Sequence, residues 1–419
     1  MLQSMRKPLL ILILLTCIAV IPYFLYLDLY NRNLRSIRIE LGLDWENYGR
    51  AMNSTTSIHC RNGPKRNLMF LKTHKTGSST LQNILVRFAY DNDRFVGLPT
   101  GGDILFGYYS GTPFKKSMMM PVPKSRNVNM LLHHMVFNKK EIASVLPSDT
   151  VYLTILRDPA TQFESVFHYL RKDVPAFSRA SGENGLTDYV RNPTQYFKGR
   201  GDGRFWWFGK NGMFFDLGFD NLSENDTYIN EAIDEIEKTF DIVLISEFFD
   251  ISLLLLRDLL CWDMKDIIYL SMNARNQSTV EHVTADVKDL IYKWNKADWA
   301  LYNHYNKTFW RQVENYGKHR LENDLTELNR LKKEIANFCV EDNLQNNRNI
   351  RDNTYKMFNP DGIEVTQYIL KKQAKNSQIC QGLIYPELVW HKKLVNKQDK
   401  PPATKSLWSR LPSSMRRKV

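Results

Sequence analysis

The sequence predicts an α/β protein, a mostly parallel sheet flanked by helices, carried behind one N-terminal transmembrane helix. Three observations predict it. A short apolar run of strand type, a polar loop and apolar residues at helical spacing follow one another three times along the chain. An uncharged run, Pro8 to Leu27, is long enough to cross a bilayer core. No internal repeat or long low-complexity block interrupts the 419 residues, which argues against a solenoid, and 43% hydrophobic content supplies a sizeable core.

From the amino end, residues 1–7 read as a cytoplasmic tail and residues 8–27, PLLILILLTCIAVIPYFLYL, as a signal anchor. The run is long for a cleaved signal, and no small-x-small site follows before Asp28. Arg6 and Lys7 face Arg32, Arg35 and Arg38 across it, so charge alone leaves orientation open. Five Asn-x-Ser/Thr sequons, at Asn53, Asn221, Asn225, Asn276 and Asn306, all follow the anchor and favour a lumenal body. Outside the anchor's Cys17, the residues Cys60, Cys261, Cys339 and Cys380 form an even set that an oxidising lumen joins in any of three pairings. No cysteine or histidine spacing suggests zinc.

Residues 28–64 read as a polar stem, and the folded body is expected over 65–390. Asn67 to Leu71 is the first strand, followed by Leu81, Ile84, Leu85 and Phe88 at helical spacing. Asn129 to His134 is a second strand. VYLTIL, from Val151, is a third, interrupted by Arg157-Asp-Pro159 before Phe163, Val166, Phe167 and Leu170 mark another helix. Asp241 to Ser246 and the leucines from Leu253 to Leu260 repeat the pattern. Strands alternating with helices imply a parallel sheet covered on both faces. Leu321, Leu325, Leu328, Leu331, Ile335 and Phe338 fit a core-packing helix. Residues 391–419 read as a solvated basic tail: nine lysines and arginines against Asp399 alone hold most of the net charge of +12.

Ligands of a parallel sheet bind outside the carboxyl ends of its strands. The loop Lys72 to Thr80 lies there. Gly77 permits close backbone approach, Thr76, Ser78, Ser79 and Thr80 offer hydroxyls, and the N–H groups of a helix start suit phosphate or sulfate. The plain alternative is a capped helix with its lysines in solvent. A Walker loop places lysine directly after its last glycine, whereas Lys75 precedes Gly77, so the order argues against an NTPase. Arg157, closing a strand, and Ser165, two turns into the next helix, form a second anion site on the neighbouring crossover. Two such sites match a ligand with two separated phosphates.

FLKTHKTGSSTLQNIL, LLHHMVF, ILRDPATQFESVFHY, FFDLGFDN and LLLLRDLLCW with the later NAR resemble the galactose 3-O-sulfotransferases, from about Asn67 to Leu388. The resemblance implies a P-loop-like sulfotransferase fold and 3′-phosphoadenosine 5′-phosphosulfate (PAPS) as co-substrate. PAPS is then held by Lys75, Thr76, Gly77, Ser78, Ser79, Thr80, Arg157 and Ser165, with no metal. It further implies a single-pass type II Golgi membrane enzyme with a lumenal catalytic domain, acting on a galactose-terminated glycolipid or glycan acceptor. A homodimer is left open, and nucleic acid is no expected partner. Phe-His-Tyr169, Phe214, Phe215 and Asp258 to Trp262 favour the members that sulfate galactosylceramide over those acting on glycoprotein N- or O-glycans. An anchored glycan-binding glycoprotein without chemistry is the alternative of another class. Two positions depart from the family: Gly77, where alanine is common, and His133, where asparagine is.

Attack by a galactose 3-hydroxyl on sulfur needs a proton acceptor and cations for the sulfuryl and leaving oxygens. Lys75 is the expected cation. His134 is the expected base, because imidazole titrates near neutrality and the family's pattern is matched by His134-Met-Val-Phe137. His133 points to the other face of an extended strand. His74 and Lys72 are second candidates. Phe205 to Phe208 and Phe214 to Phe219 read as core first and sugar-stacking surface second, with Asp216 a candidate partner for a galactose hydroxyl.

Overall fold

The computed structural model describes residues 60, 63–180, 182–272, 282–342, 344–357 and 365–398. The expected cytoplasmic tail, anchor and most of the stem therefore lie outside the described residues, as do Asn53, Asn276 and residues 399–419. No helix of the described residues is long and apolar enough to cross a membrane.

The frame is a five-stranded parallel sheet. Its chain carries, in order, β1 (Leu68–Leu71), β2 (Val96–Gly97), β3 (Leu105–Phe106), β4 (Met130–Leu131), β5 (His134–Met135), β6 (Val151–Leu156) and β7 (Ile242–Ile245). The main sheet runs β2-β4-β1-β6-β7, with Leu68 level with both Met130 and Val151, and Leu153 level with Ile242. β3 and β5 pair separately, also in parallel. β1 reads LMFL because a central parallel strand is covered on both faces. All four residues are fully buried, each worth about 1.5–3 kcal/mol of transfer free energy.

The helices that matter for the site are α1 (Ser78–Asp91), α2 (Pro159–Tyr169), α3 (Gly212–Asp216), α4 (Phe249–Leu260), α5 (Lys296–Tyr316), α6 (Lys318–Cys339), α7 (Gln378–Ile384) and α8 (Glu387–Gln398). α1 is buried on nearly every side, between the sheet and the carboxyl-terminal helices. Its polar residues are paired inward: Asn83 donates to the Gly382 carbonyl at 3.0 Å, and Arg87 donates to Asn83 and to the Ile268 carbonyl. Burial pulls the Arg87 guanidinium down to about 10. α6 is the expected leucine-spaced helix, with Leu328, Leu331 and Ile335 buried.

Three boundaries differ from expectation. The strand expected over Asn129–His134 is broken by a bend at His133, so His134 and Met135 leave the main sheet and pair with β3. The body continues past residue 390, because α8 turns Trp390, His391 and Leu394 inward at helical spacing. Gln398, in the segment expected to be tail, clasps the sheet edge: its Oε1 accepts from the Val96 N–H at 2.8 Å and its Nε2 donates to the Val96 carbonyl at 3.1 Å. The end of the stem is likewise tied down. Disulfides join Cys60 to Cys261 and Cys339 to Cys380, one of the three pairings open from sequence, and Lys65 N–H donates to the Leu260 carbonyl at 2.8 Å.

Among the sequons, Asn221 is buried, its Nδ2 donating to the Lys210 and Trp207 carbonyls, which leaves no room for a glycan on the folded chain. Asn225 is exposed, and its Oδ1 caps the helix Asp226–Glu237.

Candidate active site

The sheet order reverses beside β1, and the loops leaving β1 and β6 meet there. The first loop begins α1 without a side-chain cap. Gly77 stands at φ 77°, and the first helical bonds come from Thr80 and Leu81 to the Gly77 carbonyl, at 3.0 and 3.4 Å. The amides before them precede the helix's own ladder, where N–H groups are available to an anion. Lys75 also has a left-handed backbone, φ 61°, a conformation that costs a residue with a side chain about 1–2 kcal/mol. Its ammonium lies 3.5 Å from the Tyr169 ring centroid.

Three of the hydroxyls expected at the anion are engaged within the protein. Thr76 Oγ1 lies 2.8 Å from Thr73 Oγ1 and donates to the Thr73 carbonyl, Ser78 Oγ donates to the same carbonyl at 2.6 Å, and Thr80 Oγ1 accepts from the Met272 N–H at 3.0 Å. They brace the turn. Ser79 is half-buried.

The second crossover starts α2 differently. Asp158 Oδ1 accepts from the Ala160 and Thr161 amides at 2.9 and 3.2 Å, Pro159 occupies the first turn, and Tyr292 donates to Asp158 Oδ2. Arg157 donates through Nη1 to the Lys75 carbonyl at 3.0 Å and through Nε to Thr161 Oγ1 at 3.0 Å. The guanidinium thus bridges the two loops. Ser165 is half-buried on α2.

Across from these cations lie two stacked imidazoles, His74 and His134, with centroids 4.0 Å apart and planes 22° from parallel. His134 Nδ1 is 3.0 Å from the Lys72 carbonyl, which accepts only, so Nδ1 carries the proton and Nε2 is the basic nitrogen. Burial, reinforced by His74 and Lys72, holds the His134 imidazole well below the usual 6.5. His133 is on the other side of the bend, fully buried, and burial pulls it down to about 4 against the opposing pull of Glu387. Among the described residues no group of three or more His, Cys, Asp or Glu is placed to hold a metal ion.

The model of the galactose-3-O-sulfotransferase family matches residues 1–398. The chain belongs to this family. It is 35% identical over 330 residues to human galactosylceramide sulfotransferase, covering 78% of this chain and 77% of that one. It is also 35% identical over 348 residues to pig galactose-3-O-sulfotransferase 2, covering 81% and 86%. Bovine galactose-3-O-sulfotransferase 3 is 34% identical over 339 residues, 78% of each chain.

In this galactose-3-O-sulfotransferase family member, the structure ties Arg157 to the backbone of Lys75 and stacks His74 on His134, and it turns Lys72 into the interior. Lys72 is buried and its ammonium pairs with Glu387 of α8 and with Gln82. Burial alone would raise the Glu387 carboxyl; Lys72 and His133 outweigh it and hold it below the usual range. Asp216 is also not where sequence put it. It is fully buried, with Oδ2 accepting from His74 N and facing His74 Nδ1 at 3.1 and 3.3 Å, and Oδ1 accepting from the Tyr108 hydroxyl. Tyr108 and Glu387 escaped the sequence reading altogether. A lone acid inside the apolar word GMFFDLGF was the one available signal, since a buried carboxylate requires partners.

Proposed function

We propose that this protein transfers the sulfuryl group of PAPS to the 3-hydroxyl of a terminal β-galactose, with galactosylceramide as acceptor. It would act from a single-pass type II position in the Golgi membrane, its catalytic body lumenal. The observation that carries the reading is the junction of the two crossovers, where Arg157 donates to the Lys75 carbonyl at 3.0 Å.

The residues present fit the donor. Lys75 and uncapped amides of the first loop and Arg157 of the second present positive charge, and with Thr76, Ser78 and Thr80 engaged internally, the holding groups reduce to first-loop amides, Lys75 and Ser79 on one side and Arg157 and Ser165 on the other. When bound, PAPS supplies the sulfuryl group and a phosphate leaving group. His134 accepts the acceptor's hydroxyl proton at Nε2, with its Nδ1 proton anchored on the Lys72 carbonyl. Lys75 places its ammonium against developing charge; its contact with Tyr169, worth about 0.5–2 kcal/mol, is weak enough to exchange for a phosphate oxygen.

The rim beside the imidazoles supports a glycolipid. Tyr109 is 47% exposed, next to Tyr108, and Arg204 lies 4.7 and 4.5 Å from the Tyr109 and Phe205 ring centroids. Rings paired with cations suit the level of lipid headgroups. The test offers labelled PAPS with galactosylceramide, lactosylceramide and N-acetyllactosamine in parallel. Label is expected chiefly on galactosylceramide. Label confined to N-acetyllactosamine would move the acceptor to glycoproteins, and none at all, despite nucleotide binding, would overturn the catalytic reading.

A further inference from the structure

Asp216 ties together three segments that are far apart in sequence. Its Oδ2 holds the loop after β1 at both the backbone and the ring of His74, and its Oδ1 holds the turn at Tyr108. Its own carbonyl accepts from the Phe137 N–H at 2.9 Å, three residues beyond His134. Each of these segments also carries a ring of the cleft, and the Tyr108 and Phe208 rings lie 4.6 and 4.7 Å from His74.

The helix that presents Asp216 is itself fixed. Asp298, on α5, accepts from the Met213 and Phe214 amides at 3.2 and 2.8 Å, and buried Asn211 accepts from the Ala297 and Asp298 amides. A short helix of five residues would not otherwise hold its last side chain in one place. The carboxylate is therefore aimed, and what it aims at is the imidazole stacked on His134.

Resting on the sulfuryl-transfer reading above, we propose that Asp216 is a positioning residue for the imidazole pair. It fixes His74 as the tautomer with the proton on Nδ1, which packs His74 flat against His134, and its negative charge compensates the proton that the pair takes from the acceptor hydroxyl. The other titratable groups around the pair and its carboxylate are Lys72 and Tyr108, His133 beyond the bend, Glu387, which answers Lys72 from α8, and Asp298 behind Asp216, whose carboxyl burial pushes up to about 7. Most of these are cationic or neutral when the site works. The carboxylate beside His74 is what makes protonation of the rings tolerable in a desolvated cleft.

The experiment compares Asp216→Asn, Tyr108→Phe, His74→Ala and His134→Ala in the full chain, reading kcat, KM, the pH profile of kcat/KM and binding of 3′,5′-bisphosphoadenosine. Asn keeps the shape: its oxygen accepts from His74 while its amide donates to the Tyr108 oxygen. Asp216→Asn is expected to lower kcat about ten- to hundredfold, to leave KM and nucleotide binding near wild type, and to move the acid limb to lower pH, because the rings become less basic. Tyr108→Phe removes a donor from the carboxylate and is expected to move the same limb the opposite way, which a merely structural role does not predict. Wild-type kcat with an unmoved limb in Asp216→Asn overturns the proposal, as does a Tyr108→Phe limb that stays put or moves down if the Asn variant does not fold. Wild-type turnover in both histidine variants would instead overturn the assignment of the rings as the proton acceptor.

Discussion

The two loops that meet at the switch of the sheet start their helices by opposite means. After β6, Asp158 satisfies the first amides of α2 with its own carboxylate. After β1, Gly77 opens α1 with no side-chain acceptor, while Thr76 and Ser78 turn their hydroxyls inward onto Thr73. The first loop therefore leaves its helix amides for an outside anion, and the second has already used them. Recognition at the second falls to the side chain of Arg157, which reaches across to the Lys75 carbonyl. Similar strand-to-helix turns can thus divide one ligand between backbone and side chain.

This contrast breaks most sharply at Lys75. Lys75→Ala is expected to lower turnover by about a hundredfold or more, the scale of one lost transition-state donor, measured by sulfuryl transfer at saturating donor; near wild-type turnover would remove the cation from the first loop. Arg157→Ala is expected to weaken 3′,5′-bisphosphoadenosine binding about ten- to hundredfold, the loss of a charge-assisted hydrogen bond, read by calorimetry. Equal loss from Ser79→Ala would mean that side chains, not amides, dominate both loops. Asp158→Ala is expected to cost about 1 kcal/mol of stability in urea unfolding and little binding, since it caps a helix and faces no ligand. The smallest effect is on pH. His134 is desolvated, so its neutral, proton-accepting form persists as pH falls through 6.5; kcat/KM should hold its plateau there and decline only in more acidic buffer. A limb at the ordinary histidine value would place the base elsewhere.

The strand, loop and helix grammar was legible because central parallel strands are continuously apolar and the helices after them are periodic; LMFL and VYLTIL are where the spacing put them. Lys75 and Arg157 were legible for the same reason, as residues that follow strands. What escaped depends on partners that no local window contains. Lys72 reads from sequence as a second candidate that lines the loop or supports Lys75, but its counter-charge Glu387 is 315 positions away. Asp216 and His74 are 142 apart. The bend at His133 escaped because Leu132 and His133 carry no turn signal, and only the pairing of His134 with Leu105 ends the strand. The end of the body is hidden because a run of positive charge reads as a free tail, whereas Lys397 donates to the Tyr90 carbonyl and Gln398 clasps the sheet edge.

The pairing of Lys72 with Glu387 also sets an order of events during biosynthesis. Lys72 is among the first residues of the folded body to be made and Glu387 among the last, yet the ammonium is wholly enclosed. An enclosed cation without its acid is strongly disfavoured. The turn beside β1 therefore cannot settle while the ribosome is still producing the middle of the chain, and a nascent protein stopped short of α8 would carry an unfinished site however well its central strands had assembled.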